Sequence, residues 1–189
     1  MIAQIDVTDI RIETPRLILR PWREADLQDF FEYAKVDGVG QMAGWKPHAS
    51  IEESAAILRM FISEKKTLAL ELKENNRVIG SLGMEAREDI LTLPENWQGR
   101  ELGYVLAKPY WGRGLMPEAV LAVMDYLFSQ LSYDYISCGH FVRNEQSRRV
   151  IEKCGFQYVR TFDYTTRMGT IEPTSIYICY HPEKRGSYV

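Results

Sequence analysis

Residues 111–119, Trp-Gly-Arg-Gly-Leu-Met-Pro-Glu-Ala, join an apolar run with strand character (102–107) to a stretch whose apolar positions recur at helical spacing (120–128). A strand that passes through a glycine-rich turn into a helix restricts the chain to folds with helices packed on a sheet. It also creates a place for an anion. The first turn of a helix has backbone N–H groups without partners, and the helix dipole puts partial positive charge there. Gly112 and Gly114 remove two side chains at that point, so the backbone can approach a diphosphate and take positive φ. Pro117, which has no N–H, is expected at the first helical position. An ordinary strand-to-helix turn accounts for the same residues, because short glycine motifs recur widely.

The 189 residues are expected to form a single domain over 1–189, large enough for a core without disulfides or metal. With 26 acidic against 23 basic residues, the chain lacks the basic surplus of a nucleic-acid binder. Cys138, Cys154 and Cys179 are odd in number and far apart, as expected of reduced core thiols in a cytoplasmic protein. His48, His140 and His181 are scattered without metal-ligand spacing, so no metal site is expected. No apolar run approaches the roughly 20 residues of a membrane helix, and no signal pattern opens the chain. Cytoplasmic localisation without a membrane partner is the expectation.

Residues 17–22 read as a first strand ended by Pro21, and Leu27, Phe30, Phe31 and Ala34 as a first helix. The glycine- and aromatic-rich stretch 38–48, containing Trp45-Lys46-Pro47-His48, is either a lid or a connection. Ser50 and Glu53 form a capping-box pattern before a helix that runs to about Glu64. Strands over 67–73 and 78–86 flank a polar turn and form a hairpin. Residues 87–100 read as a loop that reaches over a site, followed by the 102–107 strand with Glu101 at its start. A strand over 133–142, a helix over 144–153 stopped by Gly155, and a closing hairpin of 156–167 and 175–180 complete the chain. This order predicts an α/β domain: a mixed, largely antiparallel central sheet with helices on both faces.

The order of elements, together with three stretches, resembles the GNAT superfamily of acetyl-CoA-dependent N-acetyltransferases, in particular the branch of the RimJ/RimL ribosomal-protein N-terminal acetyltransferases. Those stretches are Thr14-Pro15-Arg16-Leu17-Ile18-Leu19-Arg20-Pro21, Glu101-Leu102-Gly103-Tyr104 through Glu118-Ala119, and Asn144-Glu145-Gln146-Ser147 through Gly155-Phe156. The resemblance implies that acetyl-CoA is the co-substrate and that backbone N–H groups over 111–116 hold its diphosphate. In the family's loop pattern Trp111 takes the first position, Gly114 the first glycine and Met116 the place of the last small residue. Met116 is a departure that main-chain contacts tolerate if its side chain points away. The resemblance places pantetheine amides against main-chain groups of Val105, Leu106 and Ala107, phosphate charge near Arg113, with Arg148 or Arg149 as alternatives, and the pantetheine arm near Asn144.

Acetyl transfer to an amine requires that the amine lose a proton, that the thioester be placed, and that the leaving thiolate be protonated or hydrogen-bonded. Glu101 is the candidate base, or equally an anchor for the substrate ammonium, and Ser147 the candidate donor to the thiolate. Asn144 and Ser147 also suit a plain N-cap and a helix-internal hydroxyl; Tyr104 and Tyr110 are further donors near the site that read more readily as packing groups. The expected partners are acetyl-CoA and an amine acceptor, with a ribosomal or other protein N-terminus first. A polyamine, amino sugar or antibiotic amine is the alternative, and a non-catalytic acyl-CoA-binding module is a third reading. The assembly is expected to be a monomer or homodimer. No G-x-x-x-x-G-K-[ST] motif supports a nucleotide site.

Overall fold

A computed structural model describes residues 5–86, 91 and 93–184. A short β1 (Ile12–Glu13) pairs with β2 (Leu17–Pro21), and α1 (Leu27–Ala34) and α2 (Ile51–Glu64) follow. The hairpin β3 (Thr67–Leu72) and β4 (Arg77–Glu85) leads to β5 (Gly99–Leu106) and α3 (Leu115–Ser129). After these come β6 (Tyr135–Phe141), α4 (Glu145–Lys153), β7 (Gln157–Thr165) and β8 (Ile171–Tyr180). The strands form one sheet in the order β1-β2-β3-β4-β5-β6-β8-β7. Among the described strands only β5 and β6 run parallel.

The sheet is buried on both faces because its central strands are apolar on both. Leu68, Leu70 and Leu72 of β3 join the core beneath α3 and α4, whereas Ala69, on the opposite face, joins the core beneath α1 and α2. Arg20 of β2 is only 4% exposed and pairs through both terminal nitrogens with Asp26 at 2.8 Å and through Nε with Glu71 at 2.6 Å. Removing one partner of such a buried network costs about 3–5 kcal/mol. At the start of α2, Ser50 accepts the Glu53 N–H at 3.3 Å, as the capping box requires. Glu53 reaches back one residue further than expected, to the Ala49 N–H at 2.7 Å.

Three of the boundaries that differ from the sequence expectation have a clear physical cause. β5 begins at Gly99, so Glu101 is its third residue; Gly99 pairs with Tyr135, and a Cβ there would collide with the Tyr135 ring. The polar Gln98-Gly99-Arg100 hides this strand start in the sequence. β8 begins at Ile171 despite Pro173, whose missing N–H falls beyond the last β6 residue, Phe141, paired with Thr174. α3 begins at Leu115 on the left-handed cap Gly114, so Pro117 is its third residue, still within the turn whose N–H groups need no helical partner.

Met116 is 4% exposed, and its side chain lies in the core beneath α3. Met116→Gly therefore creates a cavity and places glycine in the first turn of a helix. We expect a stability loss of about 3–5 kcal/mol by denaturant unfolding, with CoA affinity of the folded fraction changed only a few-fold.

Candidate active site

β5 and β6 pair from Gly99↔Tyr135 to Leu102↔Cys138 and then part. Each strand keeps its other neighbour beyond that point: β5 stays with β4 as far as Leu106↔Gly80, and β6 with β8 as far as Phe141↔Thr174. The two halves of the sheet twist away from each other and open a wedge.

The register decides which main-chain groups face that wedge. The Ala107 N–H donates to the Ile79 carbonyl at 2.7 Å, and the Asp134 N–H to the Gln98 carbonyl at 2.8 Å. In an alternating ladder these bonds turn residues 98, 100, 102, 104 and 106 toward β6 and residues 103 and 105 toward β4. Tyr104 and Leu106 thus present their N–H and C=O groups to the wedge. The sequence reading included Val105 and Ala107; the register directs Val105 to β4, and the Ala107 amide is already committed to Ile79. The close approach of β4 requires Gly80, where a Cβ would strike the Val105 carbonyl. The Leu106 carbonyl accepts the Trp111 indole N–H at 2.6 Å, so Trp111 ties the glycine loop to the strand.

A cavity of about 480 Å³ fills the wedge and continues to the start of α3. All of the expected site residues line it except Ala107 and Arg113. Arg113 instead lies over the Tyr110 ring, 5.4 Å from its centroid. Among the described residues the cations along the cavity are Arg149 and Lys153, on one face of α4, while Arg148 is paired with Glu145 and Glu152. Arg149 is among the cations the sequence offers for phosphate charge, and the helical spacing of Gln146, Arg149 and Lys153 would have added Lys153 to it. Gly112 and Gly114 both take φ of +75°, in the left-handed region where a side chain is strained.

Alternation along β5 divides the chemistry between the two faces. Glu101 and Val105 share the α1/α2 face, and Leu102, Tyr104 and Leu106 the α3/α4 face. On the latter, the Tyr104 hydroxyl lies 2.9 Å from Ser147 Oγ and 3.3 Å from the Ser147 carbonyl. Burial holds the Tyr104 phenol well above its ordinary pKa, so it remains protonated. Tyr104, read from sequence as packing, is half of a hydroxyl pair. Burial also raises the pKa of the nearby Cys138 thiol, which keeps it unreactive. His140, 6% exposed, lines the cavity with Nδ1 2.8 Å from the Phe141 carbonyl and Nε2 3.3 Å from the Tyr177 hydroxyl.

Asn144 caps α4 by accepting the Ser147 N–H at 3.1 Å, and its amide donates to the Met42 carbonyl at 3.3 Å. Met42 belongs to a short 3-10 turn, Gly40–Ala43, that crosses the cavity. The 38–48 stretch therefore contributes Val39, Met42 and Ala43, whereas Trp45 and His48 pack inward, 5.1 Å apart, with His48 on Ser54 at 2.7 Å. In the expected covering loop, 87–90 and 92 lie outside the described residues, and Trp97 packs on Tyr180 away from the cavity. Among the described residues no cluster is placed to hold a metal ion, and no helix is long and apolar enough to cross a membrane.

The family model for the acetyltransferase (GNAT) domain matches residues 16–157. The chain belongs to the GNAT acetyltransferase family. It is 28% identical over 179 residues to the uncharacterized N-acetyltransferase YoaA of Bacillus subtilis, which covers 92% of this chain and 98% of that protein. Its fold is similar to that of the ribosomal-protein-S5-alanine acetyltransferase of Vibrio fischeri, with TM-score 0.71 and 20% identity over 93% of this chain and 98% of the other. Similarity of fold extends to the spermidine N-acetyltransferase of Vibrio cholerae, solved with CoA and spermine (TM-score 0.71, 17% identity, 89% and 97% covered). As a member of this family, the protein is an N-acetyltransferase of the GNAT type.

The cap on α4 is open to direct measurement. Asn144→Ala removes the bond to the Ser147 N–H, and a loss of about 1 kcal/mol, seen as a melting temperature lower by roughly 2–4 °C, is expected.

Proposed function

We propose that this acetyltransferase moves the acetyl group of acetyl-CoA onto the N-terminal amine of a protein or peptide, by direct attack within a ternary complex. The observation that carries this reading is the wedge itself, with Glu101 on one face and the Tyr104–Ser147 hydroxyl pair on the other. The cavity suits acetyl-CoA along its length. The N–H groups of 112–116 at the start of α3 fit a diphosphate, with Arg149 and Lys153 as neighbouring cations. The main-chain groups of Tyr104 and Leu106 offer a strand edge to the pantetheine amides. Acetyl-CoA supplies an activated thioester carbonyl.

The residues of this chain do the rest. Glu101 accepts a proton from the acceptor's ammonium, directly or through water, so that the neutral amine can attack, or anchors that ammonium beside the carbonyl. Main-chain N–H groups of the splayed β5 segment stabilise the oxygen that gains charge. Ser147, held by Tyr104, donates toward the departing sulfur. A thiol of pKa about 8.5 leaves readily, so this donor matters less than the base.

Acceptor choice rests on the lining at the Glu101 end. Val39, Met42, Ala43, Phe141 and Tyr164 form an apolar wall suited to the short side chain of an N-terminal residue. Glu101 is the single carboxylate among the described residues that line the cavity, whereas a polyamine carries several positive charges that call for several acids. Both points support a peptide amine over spermidine.

Acetyl-CoA is expected to raise the melting temperature, and CoA-release assays to show short peptides with small or apolar N-termini as better acceptors than spermidine or amino sugars. Faster turnover of a polyamine or a sugar would reverse the acceptor assignment. Glu101→Gln is expected to lower kcat by about a hundredfold or more with acetyl-CoA Kd nearly unchanged, and Ser147→Ala by about tenfold. Full activity in Glu101→Gln would remove the carboxylate from the mechanism.

A further inference from the structure

We infer that Arg16 and Glu118 form a clamp that shapes the diphosphate loop, making Arg16 a positioning residue for the cofactor although it lies about a hundred residues before the cofactor-binding helix. The inference rests on the reading of 112–116 as the diphosphate site. Glu118 lies in the first turn of α3. A carboxylate in that turn of an anion-binding helix would oppose a phosphate unless it were turned away and neutralised.

Both conditions are met. Glu118 Oε1 accepts from the Thr14 hydroxyl at 2.6 Å and from the Arg16 N–H at 2.9 Å, and Oε2 from the Arg16 guanidinium at 2.7 Å. Burial acts to raise the carboxyl pKa, but the bonds from Thr14 and Arg16 outweigh it and hold Glu118 ionised.

The same guanidinium also holds the loop. Arg16 Nη1 donates to the Arg113 carbonyl at 2.8 Å, and Nη2 would lie 3.6 Å from a Cβ at Gly114. One planar group thus binds the helix side chain and the loop carbonyl together, and Gly112 and Gly114 take their left-handed conformations on either side of that carbonyl. With the carbonyl of residue 113 drawn toward Arg16, the neighbouring N–H groups are free to turn to the cavity side. A lysine supplies one point charge and cannot bridge both acceptors in this geometry. Thr14 and Arg16 stand in the stretch 14–21, Glu118 in the motif after the glycines, and the clamp joins the two stretches.

The test compares ligands with and without a diphosphate, using the full chain. CoA affinity is measured by calorimetry, and acetyl transfer from S-acetylpantetheine, which lacks the diphosphate, is followed by thiol release. For Arg16→Met, CoA Kd is expected to rise about tenfold or more while the rate with S-acetylpantetheine changes less than about twofold. Arg16→Lys is expected to remain weakened. Equal losses with both ligands would show a merely structural role and overturn the clamp. So would unchanged CoA affinity in Arg16→Met, or full recovery in Arg16→Lys. Wild-type protein that binds no CoA would instead defeat the underlying acetyltransferase site reading, and the clamp with it.

Discussion

The site depends on two strands that stop pairing. β5 and β6 form the one parallel junction among the described strands, and it lasts only from Gly99↔Tyr135 to Leu102↔Cys138. A continued ladder would pair the Tyr104 N–H with the Gly139 carbonyl. Instead β4 and β8 hold their partners along diverging directions, and buried main-chain groups are left facing a cavity. Such groups need partners, and the fold supplies only some: the Trp111 indole takes the Leu106 carbonyl, and the Phe141 carbonyl takes the Asn144 N–H at 2.7 Å. The remainder form a strand edge that an amide-bearing ligand can complete.

The side chains are arranged about that edge. Because strand residues alternate, the same β5 segment sends Glu101 toward the α1/α2 face and Tyr104 toward the α3/α4 face. A carboxylate and a hydroxyl pair therefore stand on opposite faces of the strand whose edge borders the cavity. The Gly40–Ala43 turn, bonded through Met42 to Asn144, closes one side of the cavity. Arg143 strengthens that closure by donating to the Gln41 carbonyl at 3.0 Å while paired with Glu172.

Much of this was legible in the chain. The glycine loop, the Ser50 cap, the Asn144 cap and the alternating sheet all follow from local chemistry, and local chemistry is what a sequence displays. Less legible were features set by contacts between distant segments. Gly99 and Arg100 look like loop residues until Tyr135 and Ile136 pair with them. Tyr104 looks like packing until α4 brings Ser147 to its hydroxyl. Main-chain direction at 104–107 is fixed by register with β4, which no side chain reveals. Arg113, beside the glycines, is the residue the sequence singles out for phosphate charge; its guanidinium lies over Tyr110, while Arg149 and Lys153 line the cavity.

The central claim is that CoA lies along the wedge edge of β5 and the loop 112–116. Residue-resolved amide hydrogen exchange with and without CoA tests it most directly. Added protection at Tyr104, Leu106 and residues 112–116, with Val105 and Ala107 unchanged because β4 already holds them, is the predicted result. Protection confined to other parts of the chain, or gained at Val105 and Ala107 in place of Tyr104 and Leu106, would contradict it.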